Sequence, residues 1–144
     1  MSRALQATCV SLKGRGLLIT GQPGSGKSSL ALALIDRGAQ LVGDDSLLVE
    51  PRDGHLWAMP HPETRGLVEV RNLGLLPMPV LDGVAVALAI RLDKAAPRYA
   101  EGPEVLELQG IRLPLARLWP GGPVLPLKAE LALRHWGIGH SGGN

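Results

Sequence analysis

The 144-residue chain is long enough for one domain with one buried core and too short for two. A hydrophobic fraction of 45% and a charged fraction of 19% exclude an intrinsically disordered protein. With a net charge of +2, no run of Lys or Arg and an aromatic fraction of 3%, the composition argues against nucleic-acid binding. No segment approaches the roughly 18 apolar residues that span a bilayer. Cys9, the single cysteine, is expected as a small buried strand residue. We therefore expect a cytoplasmic protein without disulfides or membrane contact.

The first half of the chain alternates short apolar runs with turn residues, which is typical of an α/β domain. The predicted strands cover residues 6–12, 16–20 and 40–42. A helix is predicted over residues 28–37, because helix formers fill this segment and Gly38 follows it as a C-terminal cap. A hairpin is predicted from residues 46–50 and 55–58, around a turn at residues 51–54.

The second half is richer in proline and in strand patterns. Eight of the twelve prolines follow residue 70, which excludes long helices until near the C-terminus. We predict a buried strand over residues 84–92, a hairpin over residues 105–115 and a helix over residues 127–136. Residues 139–144 are expected to be a disordered tail. The predicted organisation is one α/β domain, residues 1–138, with a mixed sheet.

A glycine-rich segment between the second strand and the first helix matches the P-loop pattern G-x-x-x-x-G-K-[ST]. Its glycines permit positive φ and let backbone N–H groups approach phosphate oxygens at a helix N-terminus. Lys27 supplies a positive charge for the β- and γ-phosphates, and the hydroxyl of Ser28 is a ligand for Mg²⁺. The predicted nucleotide-binding residues are Gly21, Gln22, Pro23, Gly24, Ser25, Gly26, Lys27, Ser28 and Ser29.

Carboxylates follow two of the predicted strands. Asp44 and Asp45 come directly after the strand that the P-loop helix leads into, which places them at the carboxyl edge of the sheet beside the phosphates. The side chains of adjacent strand residues alternate, so one carboxylate can serve metal or structure and the other a nucleophile. Asp93 follows the strand at residues 84–92 and is the alternative metal-binding carboxylate, although Lys94 beside it favours a surface turn.

These residues resemble a known family. The segment Gly21–Gly38 followed by Asp44-Asp45 is similar to HPr kinase/phosphorylase, especially to short forms that contain little more than the catalytic domain. A second block, Gly66–Leu75, resembles the family signature E-[IV]-R-G-x-G. The two blocks together are more specific than a P-loop alone, and the resemblance covers residues 6 to about 117.

The resemblance implies an Mg²⁺- and ATP-dependent protein serine kinase that acts on an HPr-type phosphocarrier. The family that this sequence resembles also has phosphorylase activity. It implies that Lys27 contacts phosphate, that Ser28 and Glu69 bind the metal, and that Asp45 is the base toward the serine hydroxyl. It also implies a catalytic arginine at Arg98, a nucleotide-binding core like that of phosphoenolpyruvate carboxykinase, and a homo-oligomer.

Two positions depart from the family pattern. Gln6 stands where the family has a catalytic-site histidine, and glutamine can form hydrogen bonds but cannot titrate. Asn72 replaces a signature glycine, and asparagine is the residue that tolerates positive φ best after glycine. The sequence therefore leaves two alternatives to a protein kinase: a nucleotide-binding regulatory module without turnover, and a P-loop kinase for a small molecule.

Overall fold

A computed structural model describes residues 1–139, so the tail predicted over residues 139–144 lies outside the described residues except for Gly139. Residues 1–139 form eleven strands and two helices. The strands are β1 (Arg3–Leu5), β2 (Thr8–Leu12), β3 (Arg15–Gly21), β4 (Gln40–Gly43), β5 (Leu47–Arg52), β6 (His55–Pro60), β7 (Leu67–Val70), β8 (Gly74–Pro77), β9 (Val84–Leu92), β10 (Glu104–Leu108) and β11 (Ile111–Leu118). The helices are α1 (Lys27–Asp36) and α2 (Leu125–Trp136).

Nine strands form one mixed sheet, and β7 and β8 form a separate hairpin. The main path through the sheet is β1-β5-β6-β9-β3-β2-β4, and β11 joins it beside β9, with β10 at its outer edge. The central strand β9 is parallel to β3 and β11 but antiparallel to β6. The mixed sheet predicted from the hairpin patterns is therefore confirmed.

The sheet separates two hydrophobic cores. Successive strand residues point to opposite faces, so Leu17 and Ile19 pack under the helices whereas Leu18 belongs to the other core. The second core is closed by the outer strands, which contribute residues such as Leu56 and Leu113. Cys9 lies in this core, and burial raises the pKa of its thiol to about 12, as expected for an inert residue.

Three hairpins turn on two residues with positive φ. The turns are Lys13-Gly14, Asp53-Gly54 and Gln109-Gly110. This conformation matches the right-handed twist of the flanking strands, which explains why glycine holds the second position. The prediction that the turn between β5 and β6 includes residues 51 and 52 was wrong, because both residues belong to β5.

The predicted elements are otherwise found, with shifted ends. The single strand predicted over residues 6–12 is β2 alone, which begins at Thr8, and Gln6 lies between it and β1. Helix α2 begins two residues earlier than predicted because Pro126 is favourable in a first turn. The hairpin of β7 and β8, which contains the second sequence block, was not predicted.

Candidate functional site

The glycine-rich loop joins β3 to α1, as predicted, and lies at the carboxyl ends of the parallel strands β3 and β9. Gly21, Gly24 and Gly26 have φ values of 150°, 80° and 104°. A Cβ on Gly21 would lie 2.6 Å from Ser25 Oγ and 3.2 Å from the carbonyl oxygen of Leu92. The tight exit from β3 therefore excludes a side chain at residue 21.

The loop ends at an uncapped helix N-terminus. Gly26 is the N-cap of α1, no side chain caps it, and the first turn contains no acidic residue. Backbone N–H groups at such an end lack helical acceptors and favour an anion. Ser25 Oγ is also buried without a hydrogen-bond partner among the described residues. The loop thus offers several donors and no negative charge of its own.

Lys27 brings the main positive charge to this loop. Its side chain is only 9% exposed, and Nζ donates to the carbonyl oxygens of Gly21 and Gln22 at 3.1 and 3.2 Å. The ammonium group therefore folds over the loop, where it faces any anion held by the N-terminus of α1.

The carboxylate of Asp44 accepts three hydrogen bonds from different parts of the site. Its side chain is 5% exposed. Oδ1 accepts from Ser28 Oγ at 2.7 Å and from Thr8 Oγ1 at 3.0 Å, and Oδ2 accepts from the backbone N–H of Glu69 at 3.1 Å. One carboxylate thus connects α1, β2 and the β7–β8 hairpin.

Asp45, by contrast, is exposed and faces the open side of the loop. Its φ of 64° lies in the left-handed region, which aspartate tolerates better than most residues. Its backbone N–H donates to Thr8 Oγ1 at 3.1 Å. The two adjacent carboxylates therefore differ in environment, since Asp44 is buried among hydrogen-bond donors and Asp45 is exposed.

A cavity of about 250 Å³ brings most of the predicted site residues together. Lys27, Ser28, Asp45 and Glu69 all line it, together with Gln6 and Arg71. The remaining lining residues belong to the loop and the start of α1: Pro23, Gly24, Gly26 and Ser29. The P-loop and the second sequence block, which are 38 residues or more apart in the chain, therefore form one site.

The oxygen atoms in this cavity fit a hard divalent cation. Ser28 Oγ and the Glu69 carboxylate are the ligand types that Mg²⁺ prefers, and Mg²⁺ is commonly held by one or two protein ligands together with phosphates. No group of three or more His, Cys, Asp or Glu residues suited to a metal exists in the described part of the chain. The site thus fits a metal shared with a phosphate ligand better than a protein-only metal centre.

A larger cavity of about 820 Å³ lies on the other side of the loop. Apolar residues of both helices, such as Leu30, Ala33 and Leu125, line it together with the segment 120–122. Asp93 also lines it, but its carboxylate accepts from Ala95 N at 2.8 Å and from Arg117 Nη1 at 3.3 Å. These two donors lower the pKa of Asp93. Because its oxygens are already engaged, Asp93 is a poorer metal ligand than Glu69.

Arg98 is the one predicted catalytic residue that the structure does not bring to these cavities. It is exposed in the segment between β9 and β10, and it is absent from the lining of both cavities. Its predicted role stays a prediction.

Arg71 was not among the predicted site residues, and the hydrogen-bond partners of Asp44 were not predicted. The signal for Arg71 was its place in the second sequence block. One of the hydrogen bonds that Asp44 accepts comes from the backbone N–H of Glu69, 25 residues away, and no pattern in the sequence indicates such a contact.

The comparisons with known proteins decide the family. Residues 1–93 match the model of the HPr Serine kinase C-terminal domain. The chain belongs to this family. The resemblance inferred from the P-loop and the second block is therefore confirmed, and both blocks lie inside the matched residues. Arg98 lies beyond them.

Relatives of the HPr kinase C-terminal domain show the same pattern. The chain is 34% identical over 128 residues to the HPr kinase/phosphorylase of Streptococcus salivarius, covering 80% of this chain and 41% of that protein. It is 41% identical over 87 residues to the HPr kinase/phosphorylase of Clostridium tetani, covering 60% of this chain and 28% of that protein. The chain thus spans less than half the length of these relatives.

A solved structure extends the family likeness over nearly the whole fold. The Hpr(Ser) kinase/phosphatase from Coxiella burnetii superposes with a TM-score of 0.81 at 29% identity, covering 92% of this chain and 94% of that one. The mixed α/β fold is therefore that of an HPr kinase C-terminal domain. Within residues 1–139, neither helix is long and apolar enough to cross a membrane.

Proposed function

We propose that this HPr kinase C-terminal domain, residues 1–138, transfers the γ-phosphoryl group of ATP to a serine of an HPr-type phosphocarrier. The observation that carries the proposal is the single cavity that joins Lys27, Ser28, Asp45 and Glu69. The names of the relatives from Streptococcus salivarius and Clostridium tetani support HPr as the acceptor.

The loop supports binding of the nucleotide phosphates. Its uncapped N–H groups, the buried Ser25 hydroxyl and the Lys27 ammonium are all donors or positive charges without a competing carboxylate in the loop. The apolar cavity on the far side of Gly24 has room for the nucleoside, since it measures about 820 Å³. The acceptor would then approach from the side of Asp45.

Mg²⁺ would be held by Ser28 and Glu69 and would neutralise charge on the transferring phosphoryl group. Ser28 would exchange its hydrogen bond to Asp44 for this role, which is a change of partner at one rotatable hydroxyl. Asp44 would then keep Thr8 and the backbone of Glu69 in place.

Asp45 would act as the base. Its carboxylate is exposed at the mouth of the small cavity, so a serine hydroxyl of another protein can reach it. It would accept the hydroxyl proton while the serine oxygen attacks the γ-phosphorus. Base catalysis of this kind contributes about 10²–10⁴-fold in rate.

Gln6 favours a second candidate, a nucleotide-binding module without turnover. The residue lines the small cavity at the position where the family has a histidine, and it cannot carry a proton. In phosphorolysis, phosphate attacks phosphoserine and the leaving serine oxygen must gain a proton, which Gln6 cannot supply. We therefore expect the forward reaction to exceed phosphorolysis.

The test is to incubate the protein with labelled ATP, Mg²⁺ and the HPr-type phosphocarrier of its own genome, beside an Asp45→Asn variant. Asparagine tolerates positive φ, so this variant keeps the backbone of residue 45. We expect phosphoserine with the native protein and a loss of about 10²-fold or more with Asp45→Asn. Tight ATP binding without transfer in the native protein would favour the nucleotide-binding module.

A further inference from the structure

The side chain of Thr8 lies between the two adjacent carboxylate residues of the site. Thr8 is the first residue of β2 and is 0% exposed. Its Oγ1 lies 3.0 Å from Asp44 Oδ1 and 3.1 Å from the backbone nitrogen of Asp45. One hydroxyl group on β2 therefore contacts both members of the Asp44-Asp45 pair, which follows β4 in the chain.

The chemistry of these groups fixes the direction of both hydrogen bonds. A hydroxyl has one proton to donate and lone pairs with which to accept, whereas a carboxylate accepts and a backbone N–H donates. Thr8 Oγ1 therefore donates to Asp44 and accepts from Asp45. Serine could form both bonds at this position. Valine, which has nearly the shape of threonine, could form neither.

The backbone of Asp45 needs support from its surroundings. Its φ of 64° is uncommon for a residue other than glycine, and such a conformation persists only where neighbouring groups hold it. Asp45 lies in the short connection between the end of β4 at Gly43 and the start of β5 at Leu47. The hydrogen bond from its N–H to the buried hydroxyl of Thr8 fixes this connection to the main sheet.

The same hydrogen bonds continue to the proposed metal ligands. Asp44 Oδ1 also accepts from Ser28 Oγ at 2.7 Å, and Asp44 Oδ2 accepts from the backbone N–H of Glu69 at 3.1 Å. A continuous chain of hydrogen bonds thus joins Asp45 to Ser28 and Glu69 through two buried side chains. Thr8 is the member of this chain that contacts Asp45.

We propose that Thr8 is a positioning residue for phosphoryl transfer: its hydroxyl holds the backbone of Asp45 in the left-handed conformation and so places the Asp45 carboxylate for the acceptor serine. This inference rests on the proposed function, in which Asp45 is the base. Thr8 is fully buried and does not line the small cavity, so its effect on the reaction passes through Asp45. A displacement of about 1 Å at a reacting group can lower a rate by about 10²-fold.

The experiment is a double-mutant cycle between residues 8 and 45. Thr8→Val removes the hydroxyl and is made alone and together with Asp45→Asn, with Thr8→Ala in its place if Thr8→Val does not fold. Thr8→Ser keeps the hydroxyl. Ser11→Ala is the matched control, because Ser11 is also a fully buried hydroxyl residue of β2 but accepts from the backbone N–H of Gly14, at the other end of the strand.

Two properties are measured for each variant. Initial rates with the phosphocarrier give kcat and the KM for ATP, and hydrogen exchange measured by NMR reports on the backbone N–H of Asp45. Circular dichroism shows that each variant is folded.

We expect Thr8→Val to lower kcat by about 10–10²-fold and to leave the KM for ATP within about threefold of the native value. In the Asp45→Asn background the same change should alter kcat by less than about twofold, because the group that Thr8 positions is already lost. Thr8→Ser should restore most of the rate, and Ser11→Ala should match the native protein. The Asp45 N–H should exchange faster in Thr8→Val than in Thr8→Ser or Ser11→Ala.

The inference is overturned if Thr8→Val keeps the native kcat, or if it leaves the exchange of the Asp45 N–H unchanged. Equal losses of kcat in the native and the Asp45→Asn backgrounds would overturn it too, because Thr8 would then support the fold or the metal ligands rather than Asp45. Failure of the proposed function has a different signature. A native protein that transfers nothing to the phosphocarrier overturns that function and this role together, whereas an active native protein with an additive cycle overturns this role alone.

Discussion

The central sheet and the β7–β8 hairpin contribute to the same site but are built in different ways. The residues around the start of the P-loop belong to β3 and β9, whose apolar side chains are almost all buried. The hairpin is a separate two-stranded sheet in which Val68 is fully buried, whereas Leu73 and Leu75 are 69% and 66% exposed.

This difference indicates that the two regions hold their site residues with different rigidity. A loop that binds phosphate through its N–H groups needs a rigid edge of parallel strands, because all of these groups must point at one anion. Glu69 and Arg71 sit instead on an element that two strands alone cannot stabilise. The hairpin is therefore held by a few contacts to the rest of the protein, chiefly Val68 and the hydrogen bond from Glu69 N to Asp44.

Among these variants, Leu88→Ala in β9 should cause the largest loss of unfolding free energy. Leu88 is fully buried in the core beneath the helices, and truncation of a buried leucine costs about 2–5 kcal/mol of unfolding free energy. Urea denaturation should show a lower midpoint with an unchanged slope, and nucleotide affinity of the folded fraction should persist. A loss below about 1 kcal/mol would show that the sheet is less tightly packed than the structure indicates.

Asp44→Asn should weaken the link between the two regions. Asparagine can still accept from Thr8 and Ser28, but its amide then faces the N–H of Glu69, donor against donor. We expect a cost of about 1.5–3 kcal/mol, the range for hydrogen bonds to charged groups. Hydrogen exchange should locate the increased opening in residues 67–77. The outcome that contradicts this prediction is opening spread evenly over β3 and β9.

Val68→Ala should give the smallest effect on global stability. Two buried methyl groups are lost from β7, where it packs near α1, and we expect a cost of about 1–2 kcal/mol. We expect the hairpin to open without unfolding of the sheet, so turnover should fall clearly while the thermal midpoint of the whole domain changes little. Leu76→Ala, a half-buried position on β8, is the matched control. Equal losses of stability and turnover in Val68→Ala would mean that the hairpin unfolds only with the whole domain.

The sequence was most informative where a local pattern has one physical meaning. The P-loop, the helix that follows it and the apolar strand β9 were all predictable, since glycine spacing and unbroken apolar runs leave few alternatives. The two-residue hairpin turns are also marked by a local pattern, a glycine in the second position between two strand segments. The prediction that Asn72 tolerates positive φ is confirmed by its φ of 73°.

Long-range contacts were the part that the sequence could not supply. The β7–β8 hairpin was missed because its strands are four residues each and half of their side chains are exposed, so no clear alternation marks them. The convergence of Asp44, Ser28 and Glu69 arises from three elements that are distant in the chain. The location of Arg98 was not predictable either, since a match of residue type carries no information on its distance from the P-loop.

The shared strand β9 restricts how this chain can change in length. From Leu88 onward its side chains alternate between the two cores, with Leu88 and Ile90 on one face and Ala89 on the other. Inserting a single residue within it would exchange the faces of all the following side chains, and both cores would lose their fit together. The pairing with β3 would shift as well, which would move Leu92 away from Gly21. Insertions and deletions are therefore expected in the segments between strands, such as residues 97–103, and not in β9.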